Sequence, residues 1–345
     1  MSDKYKSAAE LSRHGNECLR KKLYWEAEKS FLEAHKVDPR NAYALVGLGN
    51  LYCAVRNYGQ AQVFYQKMLD IDPANPFSLK GMGDAYRGMQ LTEKAIPYWL
   101  RYLERKNDDI HVMVRLADAY MKDNNPGEAE NFCDMALEVG GLDKHALLGV
   151  GRLYYKAGME EKALSCFKSL LDVDPDDVAV LNMAGDIHQV RGEYDKAIIY
   201  YEKALQHDPK NSIAQYGLGN CQRGLKNPAE GLSWWLQVLE REPGNQRLRT
   251  RVGDALASTG KLDEAAVHYQ KSIDFGYDPY AWLGMSRVYL VRKEYDQAEA
   301  CCHKILAESP DHKRALEALA DVYEAKGDKA KAKALRGKVG EGVAA

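Results

Sequence analysis

Apolar residues fall along this chain in two alternating helical stripes separated by polar breaks. In residues 42–75, Leu45, Leu48 and Tyr52 are spaced i, i+3, i+7 and share one face of a helix. Asn57 interrupts the pattern, and Ala61, Phe64, Tyr65 and Met68 then mark the face of a second helix. Asp72-Pro73 ends that helix, because proline disfavours helix at the residue before it. The element predicted is a pair of antiparallel helices.

That element returns throughout the chain. Alanine recurs at Ala27, Ala61, Ala95, Ala129, Ala163, Ala197, Ala265, Ala298 and Ala332, with Gly231 in the slot between Ala197 and Ala265. Each interval is 34 residues except the 33 from Ala265 to Ala298. Twelve residues earlier in each copy stands another small residue: Gly15, Gly49, Gly83, Ala117, Gly151, Gly185, Gly219, Gly253, Ser286 and Ala320. The two small residues are expected where the paired helices cross. A period of this length denotes stacked supersecondary units, each burying its apolar face on its neighbours. After a lead-in at 1–7, the repeats are expected at 8–41, 42–75, 76–109, 110–143, 144–177, 178–211, 212–245, 246–278 and 279–312, with a capping repeat at 313–345 whose tail frays from Gly340. The expected fold is all-α, one continuous solenoid.

The motif Leu45, Leu48-Gly49, Tyr52, Ala61, Tyr65, Pro73, repeated as Leu147, Val150-Gly151, Tyr154, Ala163, Phe167, Pro175, resembles the tetratricopeptide repeat family. The resemblance implies a right-handed superhelical solenoid with a concave groove lined by the first helices, and a protein or peptide bound in that groove. Three features depart from plain repetition. Pro97 lies inside a second helix and predicts a late start or a kink. Repeat eight is one residue short near Gly276-Tyr277-Asp278-Pro279. Asn125-Pro126 and Asn227-Pro228 are expected to cap and begin second helices.

In the family, the groove is lined by repeat positions 2, 5, 9 and 12, with the small first-helix residue at 8. Position 9 holds Asn16, Asn50, Asp84, Asp118, Arg152, Asp186, Asn220, Asp254, Arg287 and Asp321, a polar ladder able to hold a peptide backbone, although the repeat consensus itself favours asparagine there. Position 2 gives an aromatic stripe, Tyr43, Phe77, His111 and His145. Position 12 adds Arg87, Tyr155, Gln189 and Arg223; Asp84 with Arg87, and Asn220 with Arg223, could pair along their own helices. The candidate partner-binding residues are Tyr43, Asn50, Phe77, Asp84, Arg87, His111, Asp118, Arg152, Asp186, Asn220, Arg223 and Asp254. At position 6, Gly47, Gly81, Gly149, Gly217 and Gly284 each cost about 0.8–1 kcal/mol against alanine. They are either tolerated relics of repetition or a groove wall that a partner can approach closely. The carboxylate clamp of Hsp70- and Hsp90-binding relatives is incomplete: of its five positions only Asn50 and Arg115 match in repeats two to four, and in repeats six to eight Arg247 and Arg251 supply the basic residues but Asp186 stands where asparagine is needed.

Composition narrows the function further. The 345 residues carry a formal net charge of −2, so no basic excess favours nucleic acid. No apolar run is long enough for membrane insertion, and Met1–Ser7 lacks the apolar core of a signal peptide, so a cytoplasmic location is expected. The seven cysteines form no CxxC or zinc spacing and are read as packed free thiols, with Cys301-Cys302 as a possible redox pair. The lysine-rich last repeat is read as a solvated cap, or else as a patch for an anionic partner. No nucleophile–base spacing, metal site or cofactor motif stands out. The expected function is a non-catalytic scaffold or adaptor. The alternatives are a self-assembling structural subunit and a substrate-presenting subunit of an enzyme complex.

Overall fold

Twenty α-helices and no strand form residues 7–341, which are those the computed structural model describes. Residues 1–6 and 342–345, which hold most of the lead-in and the end of the tail, lie outside the described residues. Packing divides the chain into two compact units, Met1–Pro175 and Asp176–Ala345.

The first unit contains α1 (Ala8–Arg20), α2 (Tyr24–Val37), α3 (Ala42–Ala54), α4 (Tyr58–Ile71), α5 (Pro76–Gly88), α6 (Thr92–Leu103), α7 (Ile110–Lys122), α8 (Pro126–Gly140), α9 (Lys144–Lys156) and α10 (Glu160–Val173). The second contains α11 (Val178–Val190), α12 (Tyr194–His207), α13 (Ser212–Gly224), α14 (Pro228–Arg241), α15 (Gln246–Ser258), α16 (Leu262–Asp274), α17 (Pro279–Val291), α18 (Tyr295–Glu308), α19 (Lys313–Ala325) and α20 (Lys329–Glu341). Each odd-numbered, first helix packs on the even-numbered helix that follows it.

Local chemistry sets these ends. The last residue of a repeat caps the next first helix: Asn41 Oδ1 accepts from the Ala44 N–H and Asn75 Oδ1 from the Ser78 N–H, both at 3.0 Å. Asp109, Asp143, Asp177, Asn211, Asn245, Asp278 and His312 do the same. Between the two helices of every pair one residue is left-handed: Lys22, Arg56, Gln90, Asn124, Gly158, Gly192, Lys226, Gly260, Lys293 or Gly327. The following N–H bonds back across the turn, as Asn57 N–H does to the Tyr52 carbonyl at 2.8 Å, which satisfies a terminal carbonyl. Asn125 caps α8, but Asn227 does not cap α14; its amide donates instead to Gln222 Oε1. Pro97 does not delay α6, which begins in the register of Tyr24 and Tyr58 and ends two residues earlier than α4 does.

The repeat shortened at residue 278 closes around a polar knot. Asp278 is buried, accepts from Thr250 Oγ1 at 2.5 Å and Ser272 Oγ at 2.8 Å, and caps α17. The short connection thus keeps the capping carboxylate and ties it to two buried hydroxyls, which also bond each other at 3.0 Å and the Gln246 carbonyl.

An aromatic ring fills the same slot of the second helix in seven repeats. Phe31, Tyr65, Trp99, Phe167, Tyr201, Trp235 and Tyr269 are essentially fully buried. A Cβ on Gly49 would lie 2.3 Å from the Tyr65 ring, so the small residue at position 8 makes room for the ring of its own repeat. The position-6 glycines make room for the ring of the preceding repeat: a Cβ on Gly47 would lie 2.3 Å from Phe31, and those on Gly81, Gly217 and Gly284 equally near Tyr65, Tyr201 and Tyr269. These four glycines are buried sockets between repeats, neither relics nor an open groove wall. Gly149 alone in this column faces Val114, because Cys133 replaces the ring there.

Of the six basic residues of the terminal run, Lys326, Lys329, Lys331, Lys333, Arg336 and Lys338, three form ion pairs. Lys326 bonds Asp296 and Glu299, Lys331 bonds Asp328, and Arg336 bonds Asp321 and Glu324. Cys301 and Cys302 are buried, and burial pushes the Cys301 thiol up to about 12, which suits packing better than redox exchange.

Candidate functional site

Spacing between successive first helices follows position 6. Where that residue is small, first helices meet closely: α1 with α3 (Gly47), α3 with α5 (Gly81), α7 with α9 (Gly149), α11 with α13 (Gly217), α15 with α17 (Gly284) and α17 with α19 (Ala318). The pairs α5–α7 and α13–α15 lack that close approach, and there position 6 is Arg115 or Arg251, each following a tryptophan, Trp99 or Trp235, in the ring slot. The larger ring and the long guanidinium side chain keep the backbones apart and leave room on the first-helix face.

In the first unit this room becomes a cleft of about 430 Å³ lined from three first helices. α5 supplies Arg87; α7 supplies His111, Val114, Arg115 and Asp118; α9 supplies His145, Leu148, Gly149, Arg152, Leu153 and Lys156. Val114 and Leu148 form a half-buried apolar floor, and the His111 and His145 rings lie 5.4 Å apart at one side. Arg115 Nη1 donates to both oxygens of Asp84, at 2.7 and 2.9 Å. Burial raises the Asp84 pKa, opposed by Arg115, Arg87 and Lys80. Asp118 is engaged along its own helix by Lys122 at 2.7 Å. Arg87, Arg152 and Lys156 therefore leave the cleft with a cationic rim.

Of the residues singled out in the sequence, Arg87, His111, Asp118 and Arg152 come together in this cleft. Tyr43 lines a separate cleft with Ser12, Arg13, Asn16 and Arg20, and is 71% exposed; Phe77 is 69% exposed. The polar ladder serves the scaffold first. Asn50, Asp186 and Asp254 accept the ring-slot hydroxyls of Tyr65, Tyr201 and Tyr269 at 2.8, 2.6 and 2.8 Å. Burial, then the Asp254 charge, push the Tyr269 pKa upward, keeping its hydroxyl a donor. The pairing expected within α5 and α13 runs instead between repeats: Asp84 takes Arg115, and Asn220 Oδ1 accepts from Arg251 Nη1 at 2.6 Å. Arg223 is exposed at the same junction. Spacing alone missed the roles of Arg115 and Arg251; the signal was the coincidence of tryptophan in the ring slot with arginine at the next position 6.

Among the described residues, no group of three or more His, Cys, Asp or Glu could hold a metal ion, and no helix is long and apolar enough to cross a membrane.

Comparisons with known proteins agree with this architecture. Tetratricopeptide repeat family profiles match residues 145–177, 178–211 and 283–336. A tetratricopeptide repeat protein of Parabacteroides merdae superposes with a TM-score of 0.51 at 18% identity, over 72% of this chain and 98% of that one. PilF of Pseudomonas aeruginosa superposes with a TM-score of 0.50 at 18% identity, over 62% of this chain and 97% of its own. Human tetratricopeptide repeat protein 21B is 27% identical over 93 residues, which are 27% of this chain and 7% of that protein's length.

Proposed function

Because the chain is a tetratricopeptide repeat protein, we propose that it is a non-catalytic, cytoplasmic scaffold or adaptor that holds a peptide segment of a partner protein on the face of its first helices. The observation that carries this reading is the cleft between α5, α7 and α9, which combines an apolar floor, two histidine rings and a cationic rim. Such a surface offers arginine and aromatic anchors beside a partly desolvated floor, the combination on which interface energy concentrates. Helical stacks also present long surfaces at little cost to their own packing, because each repeat contacts only its neighbours.

Affinity purification of the whole chain with chemical cross-linking tests the proposal. The expected result is a protein partner cross-linked to α5, α7 and α9, with capture lost on replacing Arg87 and Arg152 by alanine while helix content is unchanged. Cross-links confined to the second helices, or capture indifferent to both substitutions, would remove this face from consideration.

A further inference from the structure

The junction α13–α15 repeats the tryptophan–arginine arrangement of the junction α5–α7 four repeats later, with different charges around it. Trp99, Arg115 and Arg87 correspond to Trp235, Arg251 and Arg223, whereas Asp84, His111 and Lys80 correspond to Asn220, Arg247 and Tyr216. In the first unit Arg115 is matched by the Asp84 carboxylate, and Lys80 by Asp109 at 2.7 Å. In the second, Arg251 meets only the neutral carbonyl of Asn220 and lies 5.2 Å over the Tyr216 ring. Among the described residues no ion pair involves Arg223, Arg247 or Arg251. Arg223 and Arg247 are exposed, and both are close enough for their charge to act on Arg251. Asp254, the carboxylate that acts on Arg251, is already held by Tyr269 and Arg287.

Three guanidinium groups of like sign act on one another here, and none of them forms an ion pair among the described residues. An arrangement of this kind leaves the cations free for a ligand, and each guanidinium fork matches a carboxylate. The cations are spread over two neighbouring helices and, on α15, over one helical turn between Arg247 and Arg251. That spread suits a row of carboxylates along an extended chain better than one compact anion. We propose that the α13–α15 face binds an acidic peptide segment through Arg223, Arg247 and Arg251, with Asn220 and Tyr216 positioning Arg251. This rests on the reading of the first-helix face as the ligand face. Arg247 and Arg251 stand at the two basic positions of the carboxylate clamp, but Asp186 replaces its asparagine, and the binding proposed here adds Arg223 and needs no free peptide C-terminus.

The test is fluorescence anisotropy of the whole chain with a fluorescein-labelled, C-terminally amidated hexaglutamate. Saturable binding is expected. It should weaken at least tenfold in Arg223→Gln/Arg247→Gln, whose changes are at exposed positions, and in Asn220→Asp, which installs the carboxylate of the first unit. Far-UV circular dichroism and melting temperature should stay unchanged in the double variant. Absence of saturable binding, or equal affinity in both variants, overturns the proposal. So does tighter binding of an oligothymidylate through the same arginines, which would make the ligand a nucleic acid. If hexaglutamate fails while partner cross-links still fall on α5, α7 and α9, this inference falls and the scaffold reading stands.

Discussion

The junctions around Trp99 and Trp235 share a ring, an arginine and a widened helix spacing, and differ in the group that meets the arginine: a carboxylate at Asp84, an amide at Asn220. The first junction neutralises its arginine internally and opens onto a cleft with an apolar floor. The second leaves its arginine bonded to a neutral group and adds Arg247 where the first has His111. Packing and recognition are therefore separable here. The tryptophan and the arginine stem set the geometry, and the residue at position 9 sets how much positive charge faces solvent.

The largest effect should come from removing the shared ring. Trp99→Ala and Trp235→Ala should each destabilise by about 3–5 kcal/mol, since both indoles are fully buried. Urea denaturation followed by circular dichroism checks this; a much smaller loss at one site would show that the junctions are not packed alike. Next, Gly81→Ala and Gly217→Ala should each cost about 1–3 kcal/mol despite the better helix propensity of alanine, because the new methyl would press on Tyr65 or Tyr201. Stabilisation in the same assay would refute the socket.

A third comparison uses pH. Burial raises the Asp84 pKa above the ordinary carboxylate value despite Arg115, Arg87 and Lys80. The folded state then holds the proton more tightly than the unfolded chain, so this group's contribution to stability falls as pH rises through the folded pKa. Relative to Asp84→Asn, the wild type should gain stability on going from pH 7 to pH 4. Urea titrations of the pair at both pH values measure this, and Asn220→Asp should acquire the same sign of dependence if the two junctions are equivalent. The smallest effect should lie in the turns: Gln90 and Lys226 are both left-handed, with φ 62° and 66°, and replacing either by glycine should stabilise by at most about 1 kcal/mol. A loss at either turn in thermal melts would mean that its side chain has a role beyond the turn.

The helical pairs, the small-residue period and the polar character of position 9 were legible in the sequence because each depends on neighbours within one helix or one repeat. The position-6 glycines were visible as a column but not as sockets. Their purpose lies in Phe31, Tyr65, Tyr201 and Tyr269, each contributed by the preceding repeat. The same limit hid the true partners of Asp84 and Asn220. Spacing pointed to Arg87 and Arg223 on the same helices, whereas the bonds go to Arg115 and Arg251 on the next first helices.

The sequence by itself determined an all-helical stack of repeats, because a 3.6-residue apolar period, capping residues and breakers act over a few residues of chain. Only the tertiary structure decided which polar side chains are used up in holding repeats together and which are left to face a partner. That choice depends on distances between side chains some thirty residues apart, where replacing a glycine by an arginine changes the gap between two helices and replacing an aspartate by an asparagine changes the charge within it.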